Sequence, residues 1–355
     1  MTGRRIEFSR WGGLIRSGIA LASGILVLLA GLEIAGFDSG LALGAMWRGA
    51  FGSWYALTSA TLVRAIPLIL IGLGIAFAFQ AGAFNIGAEG QFYAGAIAAT
   101  WVGLHAGEWP SIVAVTFPLL AGVSAGALWI AVPVWLRHRF GVLEVISTLL
   151  LNFVAEALVS LMVLGPLQES RGVYPQSDPI ADSARIPFLP GTRLHWGFIA
   201  AVLLALLLAF VRSRTLWGFR FRAAGANPRA ALVSGRLPVS RLIGIALLIS
   251  GMLAGLAGGM EVTGVSFALF QNLSPGFGFT GIAVALLARL NPLGIIGTGI
   301  LFAALETGAA AMQRDAGVPS VAVYVVEAVI IIVVLLTDSF SRRAGELRSP
   351  AGEAA

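Results

Sequence analysis

Lysine is missing from this chain of 355 residues, so all 23 of its basic residues are arginines. That excludes a phosphate-binding loop of the G-x-x-x-x-G-K-[ST] type, whose lysine reaches the terminal phosphates. Any ATP hydrolysis that drives the protein must come from another polypeptide. Cysteine is missing as well, which removes disulfides, thiolate metal sites and cysteine nucleophiles. Histidine is scarce: His105, His138 and His195 stand at the ends of apolar runs and show no ligand spacing. Charged residues make up only 11%, and no Ser/His/Asp set, metal spacing or carboxylate pair stands out. The sequence calls for no cofactor and no metal, and an embedded enzyme would have no acid, base or ligand constellation to work with.

What is present is apolar. Hydrophobic residues make up 58% and the mean hydropathy is +0.90, values of a polytopic membrane protein. Apolar runs lie at about 17–36, 56–80, 92–104, a stretch ending at Arg137-His138-Arg139, 143–164, 195–211, 242–262, 277–290, 293–312 and 319–337. The expected fold is therefore all-α, with about ten transmembrane helices spanning 17–338. The first run is longer than the apolar core of a signal peptide.

Charge placement sets the topology. Arg4, Arg5, Arg10 and Arg16 precede the first run against a single acid, Glu7. Residues 212–241 hold seven arginines and no acid, and the tail from 339 to 355 holds Arg342, Arg343 and Arg348. By the positive-inside rule these segments, and so both termini, are expected in the cytoplasm. The net charge of +6 is thus assigned to topology, and no nucleic acid is implied. Residues 165–194, with Arg171, Asp178, Asp182, Arg185 and prolines at 166, 175, 179 and 187, then fall outside. Arg64 and Arg241 each open a span half a chain apart and lead toward Glu89 and Glu261, which suggests an internal repeat.

One stretch interrupts the apolar pattern in a particular way. Gly82-Ala-Phe84-Asn85-Ile-Gly87-Ala-Glu89-Gly90-Gln91 carries three glycines, two amides and a carboxylate in ten residues. Glycine at this density opposes a continuous helix. The freed backbone groups are tolerated at membrane depth only where protein or a water-lined cavity covers them. A helix break or re-entrant element beside a solute pathway is expected near 82–91, lined by Phe84, Asn85, Glu89 and Gln91. Close packing by small residues is the other reading of the glycines, and a Glu89 near the cytoplasmic end would gate or hold the element without touching solute. Pro275-Gly276-Phe277-Gly278-Phe279 reads as a second break, with Phe277 and Phe279 able to stack on a planar ring, narrow a pore or simply pack. Glu144, Asn152, Glu156, Glu261, Glu306 and Glu327 also fall in or near spans.

The arginine-rich loop has its own signal in Gly225-Ala-Asn227-Pro228-Arg229-Ala230-Ala-Leu-Val-Ser-Gly235. Asn227 is placed to cap a short helix with Pro228 in its first position and Gly235 at its end. Such a helix is a docking peg for a soluble partner, or an ordinary basic loop at the lipid surface.

Together Phe84-Asn-Ile-Gly-Ala-Glu-Gly-Gln91, Arg222-Ala-Ala-Gly-Ala-Asn-Pro-Arg-Ala-Ala231 and Gly278-Phe-Thr-Gly-Ile-Ala-Val-Ala-Leu-Leu-Ala-Arg-Leu-Asn-Pro292 resemble permease subunits of bacterial ABC importers. The resemblance is to the nucleoside and simple-sugar branch of the branched-chain amino acid and ribose permease family, and it covers about 60–340. It implies a multi-pass inner-membrane subunit without catalysis of its own. It also implies a cytoplasmic ABC ATPase, a second homologous permease in a heterodimer, and an extracytoplasmic solute-binding protein or lipoprotein. ATPase coupling carries over onto Gly225, Asn227, Pro228, Arg229 and Ala230. The family's membrane motif carries over onto Asn85, Gly87, Glu89, Gly90 and Gln91. A proton-coupled secondary transporter using Glu89 or Glu261 is the rival class, and a simple-sugar permease the rival within the family.

Overall fold

The computed structural model describes residues 22–235 and 237–319, with Gly18 and scattered positions between 321 and 336. The N-terminal arginines, the tail and about half of the expected tenth span lie outside the described residues. The described chain is helical: α1 (Ala22–Ile34), α2 (Ser39–Phe51), α3 (Trp54–Gln80), α4 (Ala88–Leu104), α5 (Ser111–Phe140) and α6 (Glu144–Leu164) come first. They are followed by α7 (Gly197–Arg214), α8 (Leu216–Ala226), α9 (Pro228–Gly235), α10 (Val239–Ser266), α11 (Phe277–Leu287) and α12 (Pro292–Ala316). Among the described residues there are only two isolated β-bridges, Gln176–Phe270 and Phe188–His195, and no strand.

Six of these helices, α3, α5, α6, α7, α10 and α12, are long and apolar enough to cross a membrane. α4 is one residue short of 18. The expected eighth span shrinks to the 11 residues of α11, roughly 16 Å of helix against an apolar layer of about 30 Å. It stops because Arg289 and Leu290 both adopt left-handed backbone, at φ 53° and 56°, where a right-handed helix cannot continue. Asn291 then accepts a hydrogen bond from Leu293 N and opens α12. Arg64 and Arg241 each stand third in a regular α-helical run, Leu62–Gln80 and Val239–Glu261, although in α3 a π-helical stretch, Leu57–Thr61, precedes that run.

The chain divides into two compact units, one of Ser53–Ala303 and one of Met1–Gly52 with Ala304–Ala355. In the smaller unit α2 meets the end of α12 at glycines. A Cβ on Gly308 would stand 2.9 Å from the Met46 carbonyl oxygen, and one on Gly49 3.3 Å from that of Thr307.

In the larger unit α3 and α10 are the most enclosed spans, with 78% and 72% of their apolar windows buried, against 17–28% for α5, α6 and α7. α4, α5 and α10 meet at a glycine seam. A Cβ on Gly122 would lie 2.9 Å from the Gly255 carbonyl oxygen, and one on Gly255 2.9 Å from Gly126 Cα. Lipid supplies no hydrophobic drive between helices, so this backbone-to-backbone approach is what dispersion needs to hold them together.

The 165–194 segment is ordered by carboxylates. Glu169 accepts from the backbone N–H groups of Val173 and Tyr174 and from the Gln176 amide, and Asp178 accepts from the Ser170 hydroxyl and N–H. Backbone bonds from Ser177, Ile180 and Ile186 to the carbonyls of Leu269, Phe267 and Thr263 strap it to the end of α10. The Gln176 amide above all holds the Glu169 carboxyl below 4.5, and the Ser170 hydroxyl above all holds Asp178 below 3.8. The folded segment thus prefers the ionised forms, and their contribution is complete above those values and lost as pH falls through the lowered ones. Pepsin should therefore leave 165–194 intact while both carboxylates are ionised and cut it only once the pH falls well below the ordinary carboxylate range. In E169A the cut should already appear at a higher pH; equal resistance of E169A and wild type would show that the carboxylate does not order the segment.

Candidate functional site

The interruption expected at 82–91 is present and shorter. Gly82, at φ 80°, turns the chain away from α3, and α4 starts at Ala88. Glu89, Gly90 and Gln91 therefore sit in a first helical turn, where Glu89 meets the positive end of the helix dipole. Only residues 81–87 are non-helical.

One face of α6 satisfies that stretch. Glu144 Oε1 accepts from Phe84 N at 3.3 Å and Thr148 Oγ1 accepts from Ile86 N at 3.3 Å. Asn152 accepts from Gly90 N at 2.8 Å and donates to the Ile86 carbonyl at 2.9 Å. The three residues recur every fourth position, so they stand above one another on the helix. Arg137 at the end of α5 pairs with Glu144, which compensates a buried carboxylate that would otherwise be costly. Gly90 has no room for a side chain, since a Cβ would lie 2.9 Å from Trp129 Nε1 and 3.0 Å from the Leu151 carbonyl.

Asn85 is wholly buried and is bonded on both sides of its amide. Its Nδ2 donates to Gln91 Oε1 at 2.8 Å and to Ser250 Oγ of α10 at 2.9 Å. Its Oδ1 accepts from Gly87 N and from Gln91 Nε2, both at 2.9 Å. Asn85 and Gln91 thus spend these polar atoms inside the protein. Glu89 is buried too, and its Oε2 accepts from Gly278 N at the start of α11.

That bond joins the two sequence interruptions. Gly276, at φ 102°, makes the turn into α11, and Ser274 Oγ accepts from Gly276 N and Phe277 N. Phe277 is fully buried, edge-on to Phe92 at 5.7 Å, with the Arg64 guanidinium 5.4 Å from its ring centroid. Phe84 and Phe279 are different: they are 51% and 46% exposed. Of the aromatics singled out in the sequence, these two present their rings outward. Thr148 and Ser250 were not singled out; Thr148 falls on the four-residue spacing of Glu144 and Asn152, while Ser250 gives no sequence signal.

The short helix expected after Asn227 forms as α9, and Asn227 Oδ1 accepts from Ala230 N at 3.0 Å. Pro228, Arg229 and Ala230 are exposed, as are Leu232 and Val233 at 58% and 79%. Gly225, near the end of α8, lies against the exit of α3. A Cβ there would stand 2.8 Å from Gly82 N and 2.9 Å from the Ala81 carbonyl carbon. Among the described residues, then, an exposed two-turn helix stands one short helix away from the first residue of the break.

The sequence matches the family described as branched-chain amino acid transport system / permease component over residues 57–335. The chain belongs to that family. The guanosine ABC transporter permease protein NupP of Bacillus subtilis is 36% identical over 337 residues, covering 93% of this chain and 94% of the relative. The glucose ABC transporter permease protein TsgB13 of Haloferax volcanii is 34% identical over 342 residues, covering 91% and 89%. The nucleoside ABC transporter permease protein NupB of Lactococcus lactis subsp. cremoris is 31% identical over 315 residues, covering 83% and 85%. This permease is a multi-pass membrane subunit of an ABC importer of the nucleoside and sugar branch. It is not an enzyme, and a lysine-free chain agrees with a permease that has no ATPase site of its own. Family membership replaces the proton-coupled carrier as the reading of Glu89 and Glu261.

Proposed function

We propose that the permease forms the translocation path for a nucleoside or related small polar solute in a bacterial inner membrane, by alternating access driven by a separate cytoplasmic ATPase. In this reading 212–241 faces the cytoplasm with both termini, 165–194 faces outward toward a solute-binding protein or lipoprotein, and a second homologous permease completes the path. Phe84 and Phe279 line the path with their exposed rings. Asn85, Glu89, Gln91 and Phe277 shape it by fixing the break and the start of α11. Gly225, Asn227, Pro228, Arg229 and Ala230 receive the ATPase.

The observation that carries the reading is the backbone contact of Gly225 with Gly82. A push on α9 travels through α8 into the first residue of the break, and from Glu89 into α11. Two discrete packings of such contacts are what an alternating-access device requires. The relatives named for guanosine and nucleosides favour a nucleoside as solute, and the one named for glucose keeps a simple sugar as the second reading.

R229A and N227A test the docking assignment in the importer assembled with its ATPase and reconstituted in proteoliposomes. Loss of the Asn227 cap costs α9 about 1 kcal/mol, enough to fray a helix of eight residues. ATP-dependent uptake should drop about tenfold in both, with membrane insertion unchanged. Full uptake in both variants would remove α9 from the coupling route.

A further inference from the structure

The polar face of α6 does not end at Asn152. The four-residue spacing continues through Glu156 and Ser160, but these two have a different use. They line a cavity of about 100 Å³ together with Tyr93, Val159, Gln271 and Asn272. Its walls come from α4, α6 and the segment between α10 and α11.

Glu156 stands beside the buried Asn152, Val159 and Val163 on α6, but is itself exposed and lines the open side of the cavity. It sits about 18 Å along the helix from Glu144, inside a span long and apolar enough to cross a membrane, where an ionisable side chain is expected to serve a purpose. Among the described residues no cation pairs with its carboxylate, and the side-chain amides of Gln271 and Asn272 make no hydrogen bond. Ser160 donates to the Glu156 carbonyl at 3.3 Å, and Tyr93 donates to the Ser274 carbonyl at 3.4 Å, leaving their oxygen lone pairs free. Asn272 holds left-handed backbone, φ 59°, and is exposed at the cavity. The three earlier members of the stripe are consumed by the break; among the described residues the Glu156 carboxylate and the two amides make no such bond, and Ser160 bonds only within its own helix.

We propose that this cavity binds the solute through a vicinal diol. It rests on the reading that the solute is a nucleoside or simple sugar. A carboxylate only accepts hydrogen bonds and takes two hydroxyls at once, while the amides both donate and accept. A carboxylate without a cation beside it repels anions, so phosphorylated solutes are turned away. A cavity of about 100 Å³ has room for the hydroxylated edge of a ring and not for a whole nucleoside. Because Ser274 also holds the N-terminus of α11, occupancy of the cavity bears on the half-helix that Glu89 anchors.

The chain's lack of cysteine gives the test. S160C, in the complete importer reconstituted in liposomes, is labelled with a membrane-impermeant methanethiosulfonate, and modification of this chain is followed by mass spectrometry. Guanosine or glucose at ten times its Kd should slow labelling about elevenfold. Guanosine monophosphate should not, and E156A added to S160C should abolish the protection. Protection by guanosine alone assigns the diol to a ribose, and protection by glucose alone to a hexose. Labelling indifferent to both solutes, in a complex that takes one of them up with ATP, overturns the cavity assignment and leaves the transport reading standing. Absence of both protection and ATP-driven uptake in the S160C and the unmutated complex overturns both.

Discussion

Gly225→Val should abolish ATP-driven uptake while the permease still inserts, assembles and supports ATP hydrolysis. The side chain has nowhere to go, since a Cβ at 225 would already meet Gly82 N at 2.8 Å and the Ala81 carbonyl carbon at 2.9 Å. These are backbone atoms, and they cannot swing aside as the end of a flexible side chain would. Overpacking of this kind costs about 1–3 kcal/mol, and the strain falls on the joint between α8 and the break. The larger unit has other tight seams that hold it together, so the damage should appear as uncoupling and not as unfolding. At least a tenfold loss of uptake per ATP hydrolysed is expected. Gly107 is the control, because a Cβ there meets nothing within 4 Å; G107A should transport normally. If G225V couples as well as G107A, the Gly225–Gly82 contact is not on the route from the ATPase to the break.

The sequence made the existence of this joint legible and hid its geometry. The Asn227-Pro228 start and Gly235 end of α9 are local signals, and local signals translate into structure directly. The break was visible because three glycines and three polar side chains crowd into ten residues. Its true limits were not, because a glutamate and a glutamine are as welcome in the first turn of a helix as in a loop. Hydropathy placed the eighth span at 277–290, yet it is blind to backbone handedness, and Arg289 and Leu290 end the helix by turning left-handed. The partners of the break were legible only by half. Glu144, Thr148 and Asn152 recur every fourth residue, which marks one polar face on an apolar helix. That this face should turn toward residues some sixty positions earlier follows from tertiary packing, to which no period in the sequence points. The glycines at 251, 255 and 259, and at 122 and 126, likewise announce close helix contacts without naming the helices that make them.

Asn85→Leu should cost more stability than any other single change in the break. Leucine matches the volume but removes four hydrogen bonds at a site with no accessible surface. Gln91 loses its partner on both amide atoms, Ser250 loses a donor and Gly87 N loses its acceptor, at a fully buried position where an unmade bond is costly. Side-chain hydrogen bonds inside membrane proteins average about 0.6 kcal/mol each, and stranded buried groups cost about 1–3 kcal/mol. The sum is on the order of 3 kcal/mol, which lowers the unfolding temperature of a unit of this size by roughly 6–12 °C. Ser250→Ala removes one of the four bonds and leaves the Asn85–Gln91 pair intact, so it should shift the midpoint by less than half as much. Asn85→Asp should be as harmful as leucine, because a carboxylate cannot donate to Gln91 or Ser250 and would be a buried charge without a cation. Thermal unfolding of the detergent-solubilised chain, followed by loss of its monodisperse chromatographic peak, orders the three variants. A leucine variant as stable as S250A would mean that the break is held by the α6 stripe alone, and that Asn85 keeps its polar atoms for another purpose.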